Sequence, residues 1–193
     1  MNVTAETNPL RAKAGGKFKL ATATLCGCFG CHMSLLDIDE RILTLLEVVE
    51  FDRSPIDDIK KISQPVDLGF IEGGVCNAEN VHTLDEFREM CKILVAVGEC
   101  GITGGIPSMR NSFKLKDCLQ EAYIGGFGIE FAQIPCDPEL PLLLDKVRPL
   151  HHIVKIDYSL PGCPPSADAI WHFLTELVAG RDPRLPSHLI RFD

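Results

Sequence analysis

The sequence predicts a single α/β domain built on a doubly wound parallel sheet. Short apolar runs alternate along the chain with segments of helical periodicity, which is typical of strand–helix–strand units. The strand runs are apolar throughout rather than alternating, as expected of strands that helices cover on both faces. Right-handed crossovers between such strands give the doubly wound arrangement. The 193 residues are the length of one domain.

The first strand and the first helix have direct signals. The apolar run at about 18–25 predicts a strand, which ends in a cluster of cysteine and glycine. A helix is expected to begin near Ser34, since Asp37 three residues later forms a capping-box pattern. Apolar residues then recur at intervals of three and four, as on one buried face: Leu35, Ile38, Ile42, Leu45, Leu46 and Val49.

Three further elements are predicted in the middle of the chain. Pro55, after Ser54, favours a short helical turn that ends near Ile62, because proline is preferred at the first helical position. The apolar run 66–71 predicts the second strand. The segment 79–91 predicts a helix whose apolar residues face inward: Val81, Leu84 and Phe87.

The third strand is expected at 93–97, followed by a glycine-rich loop over 98–107 that contains four glycines. A helix is predicted at about 111–123, where two glycines follow it. The stretch 135–150 has weaker signals and is read as a loop with a short helix around 139–147.

The last strand is predicted at 153–158 and the last helix at 166–179, which Gly180 would end. We therefore expect one domain over residues 17–180. A flexible arm at 1–16 would precede it and a short tail at 181–193 would follow it.

The charge excludes two classes of partner. Nineteen basic against 27 acidic residues give a net charge of −8. Nucleic acids and anionic membrane surfaces need clustered lysine and arginine, so neither is an expected partner. The first sixteen residues show no export signal, and no apolar run is long enough to cross a bilayer, so we expect a cytoplasmic protein whose thiols stay reduced.

The cysteines are the main indication of chemistry. Nine are present, and five of them directly follow predicted strands: Cys26, Cys28, Cys31, Cys100 and Cys163. The carboxyl ends of parallel strands meet at one edge of the sheet, where folds of this class bind their ligands. Residues far apart in the sequence are thereby expected to lie together.

Four thiolates at one edge are the ligands that a cubane iron–sulfur cluster or a tetrahedral zinc ion requires. The spacing of Cys28 and Cys31 lets two sulfurs bind one centre. A zinc site usually takes its four ligands from two local Cys-x-x-Cys pairs. Here only Cys28 and Cys31 form such a pair, and the other two candidate ligands, Cys100 and Cys163, lie far apart in the sequence. The pattern therefore favours an iron–sulfur cluster.

The remaining cysteines are interpreted mainly as structural. Cys91 and Cys118 fall at apolar positions of predicted helices, and Cys136 beside a proline is read in the same way. Cys76 follows the second strand and faces the same edge, but a packed loop thiol is the favoured interpretation. Cys26 lies within reach of Cys28 and is a possible spare ligand.

Three polar residues also lie at this edge. His32 follows Cys31 directly and could donate a hydrogen bond to a sulfur, although a solvent or interface position is favoured. Glu72 and Glu99 stand beside glycines and could relay protons or cap a loop. No Gly-Lys-Ser/Thr motif is present, so the glycines at 101–105 do not form a P-loop. No Gly-x-Gly-x-x-Gly motif lies between a strand and a helix, so NAD is not expected to bind this chain.

Three motifs resemble the small subunits of nickel–iron hydrogenases. Residues 28–34 resemble their Cys-x-Gly-Cys-x-x-Ser signature, residues 98–105 their Gly-x-Cys-x-x-x-Gly-Gly loop, and residues 161–165 their Pro-Gly-Cys-Pro-Pro motif. Residues 72–74 are similar to the Glu-Gly step that follows their second strand. The matches run from about Phe18 to Gly180, in the family's order.

The resemblance implies a flavodoxin-like domain that holds one [4Fe-4S] cluster, the proximal one. Transferred residue by residue, the ligands are Cys28, Cys31, Cys100 and Cys163. The implied partner is a large subunit that carries the nickel–iron centre, and the implied task is to pass single electrons between that centre and the rest of the complex.

Two features of exported hydrogenase small subunits are missing from this sequence, and they indicate which branch of the family it resembles. Exported hydrogenase small subunits have a twin-arginine signal and a C-terminal domain with two further clusters, and the sequence shows neither. It is more similar to the small subunits of cytoplasmic, NAD-reducing bidirectional hydrogenases. Such enzymes also contain diaphorase subunits with flavin and further iron–sulfur clusters, which are therefore expected partners.

Two alternatives remain open. The homologous small subunit of the NADH:quinone oxidoreductase typically has two adjacent cysteines after its first strand, whereas Cys28 and Cys31 are separated here. An FMN-binding flavodoxin would need a Ser/Thr-rich phosphate loop after that strand, where this chain has cysteines. FMN is thus a possible but unsupported cofactor.

Overall fold

The computed structural model describes residues 16–190, and the predicted arm at 1–16 lies almost wholly outside them. The strands of this part of the chain are β1 Phe18–Thr24, β2 Val49–Phe51, β3 Val66–Glu72, β4 Val75–Asn77, β5 Cys91–Val97, β6 Leu143–Arg148 and β7 Tyr158–Leu160. Its α-helices are α1 Gly30–Leu36, α2 Arg41–Val48, α3 Ala78–Met90, α4 Gly98–Thr103, α5 Leu115–Gln120 and α6 Ala167–Val178. None of the described helices is long and apolar enough to cross a membrane.

Five strands form one parallel sheet in the order β2-β1-β3-β5-β7. Numbered within this sheet, the order is 2-1-3-4-5, which is the flavodoxin-like arrangement. The predicted doubly wound α/β fold is confirmed. A small antiparallel pair, β4 with β6, lies beside the main sheet.

Helices cover both faces of the sheet, and each face has its own core. On one face, α1, α2 and α6 contribute Leu35, Leu45 and Phe173 to a core with alternate strand residues such as Phe70. On the other face, Leu84 and Phe87 of α3 pack with the strand residues between them, such as Ile71. Neighbouring residues of β3 thus enter opposite cores, which explains why that strand is apolar throughout.

The first predicted helix is wrong in its start and its length. It begins at Gly30, four residues before Ser34, and a turn at 37–40 separates α1 from α2. Ser34 does not cap a helix; its hydroxyl donates to the Pro165 carbonyl at 2.5 Å and joins α1 to a distant loop. Asp39, at φ 54°, lies in the turn that breaks the predicted helix. Val49, expected on its apolar face, begins β2.

The helical turn predicted at 55–62 does not form, and turns and bends occupy this segment. The buried carboxylate of Asp52 accepts hydrogen bonds from the Ser63 amide at 3.0 Å and the Ser63 hydroxyl at 2.7 Å. This long-range contact closes the segment as a loop, which local proline preference does not reveal.

The glycine-rich loop predicted at 98–107 is wrong, because it contains the short helix α4 and leads into a 3-10 helix, Ile106–Ser112. The helix expected at 111–123 is reduced to α5, which continues as one π-helical turn over Glu121–Gly125.

Two elements near the end of the sequence also differ. The helix predicted at 139–147 is the strand β6, because pairing with the distant β4 decides its conformation. The last strand begins at Tyr158 rather than 153 and is only three residues long. The last helix is confirmed: Ser166 caps α6 by accepting from the Ala169 amide, and Gly180 follows it at φ 72°.

Candidate functional site

Four cysteines line one cavity at the carboxyl edge of the main sheet. Cys28 and Cys31 follow β1, Cys100 follows β5, and Cys163 follows β7. Glu72 and several glycines complete the lining. The structure therefore brings together the four residues that the sequence predicted as ligands.

The cysteines after β1 lie in an unusual turn. Phe29, between Cys28 and Cys31, has φ 68° and stands at the N-cap of α1, which has no side-chain cap. Cys31 lies in the first turn of α1, partly buried, with its sulfur 3.8 Å from the Val97 carbonyl oxygen of β5. Cys28 is exposed. One sulfur of this pair thus faces the protein and the other the surface.

Two glycines form a close cradle for the sulfurs. Gly98 has φ 77°, and a Cβ atom built on it would overlap the Cys31 sulfur. Gly105 has φ 47°, and its Cβ would lie 2.8 Å from the Cys100 sulfur. Both positions combine the left-handed backbone that glycine favours with a lack of space for a side chain. The main chain at Gly98 and Gly105 thus lies directly against the sulfurs of Cys31 and Cys100.

A main-chain hydrogen bond joins helix α4, which carries Cys100, to the loop of Cys163. The amide of Glu99 donates to the Gly162 carbonyl at 3.0 Å. Glu99 is partly buried, contributes to the cavity lining and has the Thr103 hydroxyl within 3.5 Å of its carboxylate. Cys163 itself is exposed. The last predicted ligand is therefore held by its backbone and not by burial of its thiol.

Burial governs the electrostatics of the inner thiols. It raises the pKa of Cys31 far above the usual range, and the nearby Glu72 carboxylate adds to the effect. Burial likewise raises the pKa of Cys100. Such thiols stay protonated at neutral pH until a cationic centre binds. Metal ligation here must therefore release protons.

A buried hydrogen-bonded chain runs beneath Cys31. The Glu72 carboxylate accepts from the Cys31 amide at 3.0 Å, and its other oxygen lies 2.5 Å from His32 Nδ1. The Nε2 atom of His32 lies 2.9 Å from the Thr22 hydroxyl, which is 2.7 Å from the Ser54 hydroxyl. His32 is 5% exposed, so the solvent or interface position favoured from the sequence is wrong.

Burial acts to raise the pKa of Glu72, but hydrogen bonds from His32 and Cys31 outweigh it and hold that pKa below its usual range. The sequence did not indicate Thr22 or Ser54 as part of this site. In the sequence, Thr22 is marked only as a polar residue within an apolar strand, and Ser54 only as a polar residue before a proline. Neither feature indicates a hydrogen-bond partner.

Cys26 lies outside the cavity lining, and its thiol faces Cys76. Its backbone pairs with Gly74, through hydrogen bonds of 3.0 and 2.8 Å. Burial and the neighbouring Cys76 thiol raise the pKa of Cys26 to about 11. The Cys76 thiol lies 3.3 Å from the Asn80 side-chain oxygen. The structure thus gives Cys26 a thiol neighbour other than the four cysteines of the cavity.

The other three cysteines lie elsewhere. Cys91 is the first residue of β5 rather than part of a helix, and it is 4% exposed in the core, where burial raises its pKa to about 12. Cys118 is partly buried in α5, and Cys136 is exposed rather than packed. All nine cysteines are free thiols.

The side chains around the cavity are of the kind that ligates iron–sulfur clusters. Within residues 16–190, no three His, Cys, Asp or Glu side chains are grouped closely enough to hold one metal ion. Four cysteines nevertheless surround one glycine-lined cavity. Cysteine is the usual ligand of [4Fe-4S] clusters, whose size separates the sulfurs more widely than zinc does.

Comparison with known proteins gives a consistent assignment. Residues 28–177 match the family model of the NADH ubiquinone oxidoreductase 20 kDa subunit. The chain is 50% identical, over 95% of its length and 90% of the relative's, to the delta subunit of the NAD-reducing hydrogenase HoxS of Cupriavidus necator. It is 36% identical over 89% of its length to one subunit of an F420-non-reducing hydrogenase of Methanocaldococcus jannaschii, and it spans 60% of that relative.

The fold is also similar to a solved structure. A chain in the crystal structure of an NAD+-reducing [NiFe]-hydrogenase in the H2-reduced state superposes with a TM-score of 0.89 at 51% identity. The match covers 92% of this chain and 99% of that chain.

Proposed function

We propose that this chain is an electron relay, because it belongs to the family of the NADH ubiquinone oxidoreductase 20 kDa subunit and, within it, to the small subunits of NAD-reducing nickel–iron hydrogenases. In this proposal it carries the proximal [4Fe-4S] cluster of the complex. The observation that carries the proposal is the single cavity lined by Cys28, Cys31, Cys100 and Cys163. These four cysteines would hold the cluster.

A [4Fe-4S] cluster, when bound, takes up and releases one electron at a time. The protein's contribution is position and environment. Partial burial of Cys31 and Cys100 limits contact with water on the inner side, and the glycines at 98 and 105 let the backbone approach the sulfurs. The exposed Cys28 and Cys163 mark the outer side, where a partner subunit would cover the site.

The proposed partners follow from the relatives. A large subunit would carry the nickel–iron centre and face the outer side of the cavity. Diaphorase subunits with flavin and further iron–sulfur clusters would receive the electrons and reduce NAD. The net charge of −8 supports the absence of nucleic-acid and anionic-membrane partners. A cytoplasmic location, with one domain over 17–180, completes the proposal.

One alternative has a specific observation in its favour. The matching family model is named for a subunit of the NADH ubiquinone oxidoreductase. The separation of Cys28 and Cys31, together with 50% identity to a hydrogenase subunit, favours the hydrogenase. FMN binding by this chain has no supporting observation.

Purification of the native complex under anaerobic conditions tests the proposal. We expect nickel, and iron equivalent to one cubane bound to this subunit, with a matching electron paramagnetic resonance (EPR) signal after reduction. Two cubanes in this subunit would contradict the proposed ligand set. Quinone reduction by a complex without nickel would favour the alternative.

A further inference from the structure

The turn between the first two predicted ligands needs support from its surroundings. Phe29 has φ 68°, a left-handed backbone conformation that is unfavourable for a residue with a side chain. Its neighbours Cys28 and Cys31 both line the cavity, so the conformation of Phe29 decides how the two sulfurs are placed. Strained residues at functional sites persist where surrounding contacts hold them.

His32 makes such a contact. Its ring stacks on the Phe29 ring with a centroid separation of 4.7 Å and an interplanar angle of 5°. Both ring nitrogens are within hydrogen-bond distance of buried oxygens, one on Glu72 of β3 and one on Thr22 of β1. The ring is therefore fixed in position and orientation by two strands of the sheet.

Glu72 connects His32 to the main chain of the predicted ligand Cys31. Glu72 contacts His32 with one carboxylate oxygen and accepts the Cys31 amide with the other, at 3.0 Å. Glu72 is 3% exposed and Thr22 is 1% exposed. Within residues 16–190, no buried side-chain nitrogen or oxygen lacks a partner. Removing the imidazole would take away the partner of one oxygen of the buried Glu72 carboxylate, whereas the Thr22 hydroxyl would keep the Ser54 hydroxyl at 2.7 Å.

We propose that His32 is a positioning residue that fixes the relative placement of the Cys28 and Cys31 sulfurs, through its stacking on Phe29 and its hydrogen bond to Glu72. This inference rests on the proposed function, since it concerns the cluster that these cysteines would hold. His32 does not ligate the cluster. It acts through Phe29, one of the two residues between Cys28 and Cys31, and through the Glu72 carboxylate, which accepts a hydrogen bond from the Cys31 amide.

The test compares variants in the purified complex. His32→Ala removes the stacking and both hydrogen bonds of the ring. Thr22→Val keeps the shape of its side chain but removes two hydrogen bonds, one to the His32 ring and one to the Ser54 hydroxyl. Partners of this kind typically change metal affinity about 10- to 100-fold when removed. We therefore expect His32→Ala to speed iron release to a chelator about tenfold or more, and to change the EPR spectrum and midpoint potential of the cluster.

Thr22→Val should shift the same three quantities in the same direction by a smaller amount. The matched control is His172→Ala on α6, whose ring contacts only the Arg184 carbonyl among the hydrogen bonds of the described residues, at 3.3 Å. It should leave all three unchanged. If the His32→Ala complex does not retain iron, the iron-release rate, EPR spectrum and midpoint potential of Thr22→Val decide the test.

A wild-type spectrum, potential and iron-release rate in Thr22→Val, and in any iron-loaded His32→Ala, would overturn the inference, even if the melting temperature fell. That result would assign His32 to stability alone. A wild-type complex without a cubane in this subunit would instead overturn the proposed function, so the two failures are distinguishable.

Discussion

At the scale of single residues, the space beside the Cys31 sulfur is the most sensitive feature of the site. Gly98→Ala would place a methyl group on that sulfur and would also strain a backbone at φ 77°. We expect this variant to lose most of the iron of the subunit, measured by iron analysis of the purified complex.

Gly180→Ala is the matched control for backbone strain. Gly180 has φ 72°, but a Cβ atom there meets nothing within 4 Å. This variant should lose roughly 1–2 kcal/mol of stability, as expected for a left-handed residue, and keep its iron. Equal iron in Gly98→Ala and Gly180→Ala would show that the cradle around Cys31 is unimportant for the cluster.

The ligand set gives a second prediction for single residues. Cys100→Ala and Cys163→Ala should remove the cluster and much of the stability, because ligation free energy contributes to folding. Cys118→Ala, in α5 and away from the cavity, should leave iron content unchanged. Iron retained in Cys163→Ala, or lost in Cys118→Ala, would contradict the assignment.

At the scale of elements, one carboxylate holds the short last strand in place. Asp157, directly before β7, accepts hydrogen bonds from the Leu94 amide of β5 at 2.9 Å and from Arg88 of α3 at 2.7 Å. Burial acts to raise the pKa of Asp157, but these hydrogen bonds and the Arg88 charge outweigh it, so the pKa lies below its usual range. The carboxylate thereby connects β7, and with it the Cys163 loop, to the rest of the sheet.

A group whose pKa is lower in the folded state stabilises the fold above its unfolded pKa, about 3.9 for aspartate, and loses that effect as pH falls through the folded value. We expect Asp157→Asn to reduce the free energy of unfolding by about 2 kcal/mol at pH 7, with a gap to wild type that narrows below about pH 4. Denaturant unfolding at several pH values measures this.

Asp58→Asn is the control, because Asp58 is fully exposed and its ion pair with Lys60 spans 3.8 Å. Surface pairs of this kind contribute little to stability, because solvent screens them. A gap between Asp157→Asn and wild type that stays constant from pH 7 to pH 3 would contradict the role given to the Asp157 charge.

Elements with local signals were predictable from the sequence, and elements decided by distant partners were not. The helix α6 has a capping serine, a regular apolar face and a terminal glycine, so its bounds were predicted within one residue. The short strands β2, β4 and β6 were missed, since pairing across the fold determines them. The same holds for the site. The positions after strands indicated its four cysteines and placed His32 and Glu72 at the same edge, but nothing in the sequence indicated that these two residues, forty positions apart, contact each other.

At the scale of the whole molecule, the outer side of the cavity is a surface that a partner is expected to cover. Cys28 and Cys163 are exposed there. Ile106 and Met109, in the 3-10 helix that follows α4, are 72% and 68% exposed. We predict an interface of the obligate class, above roughly 2,000 Å². The isolated chain should aggregate or lose its cluster in size-exclusion runs with iron analysis, whereas the chain co-purified with its large subunit should retain it. A stable, cluster-loaded monomer would count against this interface.

In the proposed function, this chain conducts electrons between two active sites that it does not contain. Cys31→Ala tests it most directly, in a complex whose subunit stoichiometry is shown to equal that of wild type. Hydrogen-driven reduction of NAD and oxidation of NADH with an artificial acceptor are measured on the same preparation. We expect the first activity to be lost and the second to stay at the wild-type level, because the change interrupts the path between the two sites and alters neither. Hydrogen-driven NAD reduction at the wild-type rate would contradict it.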